Sequence, residues 1–341
     1  MKKIKVAVNG LGRIGRAFLK IGILRDELDL IAVNDLGDIN NLAYLLKYDS
    51  AYGKSDLDIK VEGGDLVVEG NRIKVLQEKE PARLPWKDLG VDVVVESTGF
   101  FETYEKAQAH LVAGAKRVVL SAPAKDEPPE GIAGGTVLMG INEDVLKTCQ
   151  ISSNASCTTN SASPLIQILN ETIGIEKAIL NTVHGYTGTQ KLVDSPDAKD
   201  WRRGRAAAAN IVLSTTGAAI AVTKAVPDLL GKFDGIAMRV PVLTGSIADI
   251  TFIAKRPTTT DEVNGILKKA AGEERWKGIF TATEEALVSS DIVGTPYAAI
   301  ADLSFTKVVG DDLVKVLSWY DNEMGYTYTL IQHVIKSGSY L

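Results

Sequence analysis

Cysteine and histidine are scarce in this chain: two thiols, Cys149 and Cys157, and three imidazoles among 341 residues. Two cysteines give no disulfide framework, which fits a reducing compartment and sets the expectation of a cytoplasmic protein. No apolar run approaches the roughly 20 residues that a membrane span needs, so no membrane partner is expected. The start, Met1-Lys-Lys-Ile-Lys5, runs straight into a strand pattern and lacks a signal-peptide core. Charge of one sign is not in excess, with 38 basic against 43 acidic residues and a net charge of −5, which argues against nucleic acid as the main partner. Repeats and low-complexity tracts are missing, and no metal is expected. What is left is an ordinary globular composition in a chain long enough for two domains.

The first half carries an ordered set of signals. Ile4-Lys-Val-Ala-Val8 is a β-branched run that Asn9-Gly10 ends; Gly10-Leu-Gly12-Arg-Ile-Gly15 follows, then a helical pattern from Arg16 to Leu24 and a buried strand from Leu30 to Asn34 that ends at Asp35. Strand, glycine turn, helix, strand, acid is the fingerprint of a dinucleotide site. The glycines let the backbone turn tightly and approach a pyrophosphate at the helix N-terminus. Asp35 stands where a carboxylate accepts hydrogen bonds from an adenosine ribose, and it repels an added 2′-phosphate, which favours NAD. Residues 57–76 read as a small antiparallel insertion with turns at Gly63-Gly64 and Gly70-Asn71. Further strands are expected at 91–98, 117–121 and 137–141, with a helix at 105–115 that presents His110 on a surface face. Strands ending at Asp35, Thr98 and Ser121 would line the carboxyl edge of a parallel sheet.

The segment Ser153-Asn-Ala-Ser-Cys157-Thr-Thr-Asn160 sets a thiol among hydroxyls and amides where a strand hands over to a helix. A thiol kept for packing has apolar neighbours; this one has donors and a positive helix terminus, which favour thiolate. Pro164 follows early in that helix and should weaken its ladder. Of the imidazoles, His110 and His333 read as structural or solvated. His184 follows the strand 178–183 and opens the polar run Gly-Tyr-Thr-Gly-Thr, so it is the best partner for Cys157. An unperturbed thiol is only about 3 per cent ionised at pH 7, so full ionisation gains at most roughly 30-fold. The rest of any catalysis must come from proton transfer, orientation and oxyanion stabilisation. Thr215-Thr-Gly-Ala-Ala before a helix offers an anion site, the basic run Trp201-Arg-Arg-Gly-Arg205 offers an anion site or a subunit contact, and Arg239 in the apolar strand Ala237–Val242 calls for an anionic partner.

Together these motifs resemble the phosphorying-type aldehyde dehydrogenases that act on a triose phosphate, the phosphorylating glyceraldehyde-3-phosphate dehydrogenase family. The resemblance runs from Val8–Arg16 through Ser153–Asn160, His184–Gln190, Ser214–Ala219 and Ala237–Pro241 to Trp319–Glu323. It implies an α/β fold: an N-terminal Rossmann-type doubly wound parallel sheet at 1–156, an α+β catalytic domain with a mixed sheet at 157–322, and a C-terminal helix near 323–341 packed back on the first domain. It implies that Cys157 attacks the aldehyde, that His184 acts as base, and that inorganic phosphate cleaves the thioester to give 1,3-bisphosphoglycerate. It assigns Gly10, Gly12, Arg13, Ile14, Gly15, Asp35, Lys79, Ser121 and Asn322 to NAD. Ser156, Thr158, Arg205, Thr216 and Gly217 fall to the attacking phosphate, and Thr187 and Arg239 to the phosphate of glyceraldehyde 3-phosphate. A homotetramer is implied, with the 186–210 loop at a subunit interface.

Three departures from the family pattern stand out. Lys79 replaces a common arginine, Ser161 replaces a second cysteine, and Asp194-Ser195-Pro196 replaces Asp-Leu-Pro, which leaves a dual NAD/NADP form open. Erythrose-4-phosphate dehydrogenase is the nearest alternative, but the intact Tyr186–Thr189 and Ser214–Ala219 runs favour the triose. A thiol hydrolase and a non-catalytic binding protein are the alternatives outside redox chemistry; the dinucleotide fingerprint opposes the first and the acidic balance the second.

Overall fold

The computed structural model describes residues 3–198 and 200–341; Met1 and Lys2 of the chain start and Lys199 of the 186–210 loop lie outside the described residues. The chain divides into two compact units, Met1–Ala155 with Thr327–Leu341, and Ser156–Tyr326. These joins sit slightly off 156/157 and 322/323. The helix Met324–Gly338 begins in the second unit, where Gly325 lies against Tyr297, and its remaining turns belong to the first.

The first unit is built on a nine-stranded sheet. Its strands Ile4–Asn9, Val93–Glu96 and Arg117–Leu120 are buried along almost their whole length, as strands covered on both faces must be. Parallel pairing runs from Asn71–Leu76 through Leu28–Asn34, Ile4–Asn9, Val93–Glu96 and Arg117–Leu120 to Ile151–Ser153, with Gly134–Thr136 added outside. Counted along the chain, that is the doubly wound order in which the direction of winding reverses beside the first strand. The antiparallel insertion forms as expected, from Ile59–Glu62, Asp65–Val68 and Asn71–Leu76, and extends one edge of this sheet. In the C-terminal helix, Ile331 packs near Gly22 and Gly338 lies tightly on Ile4.

Two expectations fail here. Residues 137–141 are not a strand; the strand is Gly134–Thr136, and Val137–Met139 fill the core in a turn that Asn142 ties through Leu138 N and Thr136 O. A short apolar run does not distinguish the two by periodicity. His110 is not on a surface face: the helix Tyr104–Val112 buries Tyr104, Ala107 and His110, and the imidazole is fully enclosed between Trp86 and Glu96. His333 is enclosed as well, between Ser152 and Asn154.

The second unit has a seven-stranded mixed sheet, ordered Val212–Thr215, Phe233–Val240, Ile175–Gly185, Ser246–Ala254, Leu313–Tyr320, Ala299–Val309, Phe280–Thr283. Ser246–Ala254 alternates strictly between buried and half-buried residues, so one face takes the core. The helices Cys157–Thr172, Ala218–Ala225 and Thr260–Ala270 cover that face. Pro164 removes one rung from the first of these, yet the helix runs unbroken for 16 residues.

Candidate active site

The cleft of the first unit opens at the reversal of its sheet. Gly10 has φ +96°, and a Cβ there would lie 2.8 Å from Thr98 N. A Cβ on Gly15 would lie 1.9 Å from Gly10 O, so both positions demand glycine for close approach. Gly12 is different: a Cβ would meet nothing nearer than 4.0 Å, and as N-cap it gives the helix Arg13–Gly22 no side-chain cap. That arrangement leaves the positive helix end open to an anion. Asp35 is fixed by Leu11 N at 2.7 Å and Gly37 N at 2.8 Å. It shares a cleft of about 480 Å³ with Gly10, Gly12, Asn34, Lys79, Thr98 and Phe100. Ile14 and Ser121 line a neighbouring pocket of about 120 Å³. Arg13 does not point its charge into the cleft: its guanidinium holds Asp49 at 2.6 Å and lies over the Tyr52 ring, so it can serve an anion through its backbone at the helix start. These residues fit a dinucleotide in shape and in chemistry.

In the second unit Ser156 caps the helix that Cys157 opens, its Oγ accepting from Thr159 N at 3.1 Å. The half-buried Cys157 Sγ lies 3.3 Å from His184 Nε2. His184 is at the end of Ile175–Gly185, in register with Arg239 on the parallel strand Phe233–Val240. Arg239 Nη1 comes within 2.5 Å of His184 Nδ1, and that nitrogen is 2.6 Å from Gly185 O. Tyr320 packs edge-on to the imidazole, and its hydroxyl joins Thr158 Oγ1 at 2.9 Å and Thr182 Oγ1 at 2.7 Å.

Burial, and then the Arg239 charge, push His184 down to about 3, which makes it a neutral imidazole. Burial also pushes the Cys157 thiol up, and Arg239 and the Thr158 backbone offset this only in part. The expectation of a resting thiolate is therefore replaced by a neutral thiol beside a neutral base. The reason is desolvation, which penalises both charged forms.

The remaining residues fall into groups. Thr158 turns its hydroxyl to Tyr320 and is buried. Thr216 Oγ1 accepts from Ala218 N at 3.2 Å, and Gly217 is the N-cap of Ala218–Ala225. Thr187 Oγ1 is 3.0 Å from Thr189 Oγ1 at the start of the polar loop. Arg205 is taken up by Asp194 at 2.7 Å, beside an open pocket of about 390 Å³ that Ser195 and Trp201 share. Arg203, named in the sequence only as part of the basic run, instead reaches Ser214 Oγ at 2.8 Å, and its charge acts on Arg239. Asn322 turns its carbonyl to Gly245 N, Ser246 Oγ and Thr244 Oγ1, which leaves its amide NH₂ as a donor. Ser161 pairs with Ser318 at 2.8 Å.

An open parallel sheet in this order, with a glycine turn at its reversal and an acid on the next strand, defines the dinucleotide-binding class of α/β proteins. Comparison with known proteins narrows the class. Residues 4–104 match the glyceraldehyde 3-phosphate dehydrogenase NAD binding domain, and residues 156–322 match the C-terminal domain of the same family. A glyceraldehyde-3-phosphate dehydrogenase of Streptomyces coelicolor is 46% identical over 341 residues, 99% of either chain. One of Mycobacterium avium is 47% identical over 346 residues, again 99% of each. Glyceraldehyde-3-phosphate dehydrogenase 1 of Kluyveromyces lactis is 45% identical over 335 residues, 97% of this chain and 99% of the relative. The chain belongs to the glyceraldehyde-3-phosphate dehydrogenase family, as an oxidoreductase with an NAD-binding domain. Among the described residues no helix is long and apolar enough to cross a membrane.

Proposed function

We propose that this enzyme oxidises D-glyceraldehyde 3-phosphate with NAD and inorganic phosphate to 1,3-bisphosphoglycerate. The observation that carries the reading is the contact of Cys157 Sγ with a buried, neutral His184 beside Arg239. A neutral imidazole is a proton acceptor. Of its two neutral tautomers, the one with the proton on Nδ1, directed at Gly185 O, turns an Nε2 lone pair to the thiol, and in it Arg239 Nη1 donates to Gly185 O rather than to the ring. Cys157 gives its proton to His184 as sulfur attacks the aldehyde carbon, and His184 passes that proton to the former carbonyl oxygen, which leaves a hemithioacetal and a neutral imidazole again. His184 then takes the hemithioacetal hydroxyl proton while the C–H bond breaks, its hydrogen leaving with the electron pair as hydride, and the carbonyl of the thioester forms. NAD, held by the cleft around Gly10, Asp35 and Lys79, supplies the hydride acceptor. Arg239 and Thr187 orient the substrate's phosphate. Inorganic phosphate, bound by the Thr216–Gly217 turn and a nearby arginine, attacks the thioester and releases Cys157. Of the basic run, Arg203 is the better candidate for that arginine, because Arg205 is engaged by Asp194.

The same reading includes a cytoplasmic homotetramer. The sheet of the second unit leaves Ile179, Leu213 and Ile236 exposed on one face, an apolar area suited to a second copy. One steady-state assay tests the reaction. NADH should form from glyceraldehyde 3-phosphate only with phosphate present. Equal turnover without phosphate, a higher kcat/KM for erythrose 4-phosphate, or a preference for NADP would each replace a named part of the proposal.

A further inference from the structure

Glu96, at the end of the strand Val93–Glu96, is 3% exposed and takes no part in the steps above. Its Oε2 accepts from Asn9 Nδ2 at 2.6 Å and lies 3.0 Å from His110 Nε2. Its Oε1 accepts from Thr98 N at 2.8 Å and from Thr98 Oγ1 at 2.5 Å. The proton positions follow from chemistry. The Trp86 indole can only donate, and it stands 3.0 Å from His110 Nδ1. Nδ1 therefore presents a lone pair, the ring is neutral, and Nε2–H points at Glu96. Both carboxylate oxygens receive donors, so Glu96 is held as an anion by four of them.

That charge is not cancelled. No lysine or arginine pairs with Glu96 among the described residues, whereas Glu102, the other carboxylate on the same small pocket, is paired with Lys125. The pocket, which Ile14, Ser97 and Ser121 also line, lies across the sheet reversal from Asp35. In a doubly wound sheet each half takes one nucleotide, and the half that holds Asp35 takes the adenosine. The half that holds Glu96 is then the nicotinamide half. The oxidised ring is a cation and the reduced ring is not, so a buried anion there attracts one form and not the other.

We propose that Glu96 biases the site toward the oxidised cofactor, with Asn9, Thr98 and the Trp86–His110 pair holding its carboxylate in place. The inference rests on the NAD reading of the cleft, and the test separates the two. Titration calorimetry on the full chain gives dissociation constants for NAD⁺ and NADH, in the wild type and in Glu96→Gln and Glu96→Asp. Glu96→Gln should weaken NAD⁺ by about 10-fold while NADH changes by less than about 3-fold. Glu96→Asp, which keeps the charge, should keep the wild-type ratio. Equal losses for both forms in Glu96→Gln would reduce Glu96 to a structural role and overturn the proposal. Should that variant not fold, the wild type still decides: NADH binding more than about 10-fold tighter than NAD⁺ runs against the bias and overturns it too. A wild type that binds neither form would remove the NAD reading itself.

Discussion

Arg239 Nη1 lies 2.5 Å from His184 Nδ1, the ring nitrogen that does not meet Cys157. A cation so close keeps the base unprotonated, and the same cation is the group proposed to take the substrate's phosphate. Arg239→Leu removes both effects. Loss of the charge stabilises imidazolium, so the acid limb of the kcat/KM profile should move to higher pH. Loss of the anion contact should lower kcat/KM by roughly 10²-fold. A pH–rate profile of the variant checks both, and an acid limb that stays in place would separate Arg239 from the base.

Cys157→Ser replaces sulfur by a far poorer nucleophile in the same pocket. Dehydrogenase activity should fall by roughly 10³-fold or more, while cofactor affinity, for which none of the assigned residues is Cys157, should stay within about 3-fold. Single-turnover NADH formation and NAD titration give the two numbers.

Two enclosed imidazoles make the fold sensitive to acid. His184 and His333 are each pushed from 6.5 down to about 3, His184 by burial and Arg239, His333 by burial alone. Below pH 6.5 the unfolded chain binds protons that the folded chain refuses, so stability falls as pH drops toward 3 and is fully retained above 6.5. Each group contributes up to about 1.4 kcal/mol per pH unit in that window. His333→Gln should flatten the decline of Tm between pH 6.5 and 4.5, because one of the two groups no longer titrates. Melting curves across that range test this, and an unchanged slope would rule His333 out as a source.

Much of the first unit was legible in the sequence because its signals are local. Gly10, Gly12, Gly15 and Asp35 sit on one strand–turn–helix–strand segment, and close backbone approach demands glycine at Gly10 and Gly15. Cys157 and His184 stood out through scarcity and through their places at element ends. What was not legible depends on contacts between distant segments. His110 belongs to a polar-looking helix, and only Trp86 and Glu96 reveal that the helix is turned inward. The neutral state of Cys157 follows from burial, which composition around the residue does not report. Val137–Met139 reads like a strand because a core-filling turn and a strand use the same apolar residues.

Gly15→Ala tests how closely the glycine turn is packed. The new methyl would sit 1.9 Å from Gly10 O, a backbone atom that cannot move without shifting the first strand. A loss of at least about 2 kcal/mol of stability, with weaker NAD binding, is expected. Gly12→Ala, which finds open space in the unliganded turn, should cost little stability yet still weaken NAD. Thermal melts paired with NAD titrations separate the two, and equal melting losses would contradict the division of roles.

The basic run shows why residue type alone does not assign an anion site. Arg203 and Arg205 are two positions apart, so the 3₁₀ turn Trp201–Gly204 and the extended Arg205 send them to different neighbours. Arg205 meets Asp194 in an exposed pair, with side chains 61% and 57% accessible, and such pairs contribute little. Arg203 reaches Ser214, next to the turn that carries Thr216, and its charge acts on Arg239. Arg203→Leu should therefore raise the KM for inorganic phosphate by roughly 10- to 100-fold, the loss of a hydrogen bond to a charged partner. Arg205→Leu should change it by less than about 3-fold. Steady-state kinetics with phosphate varied at saturating aldehyde and NAD decides between them, and the opposite order would return the anion site to Arg205.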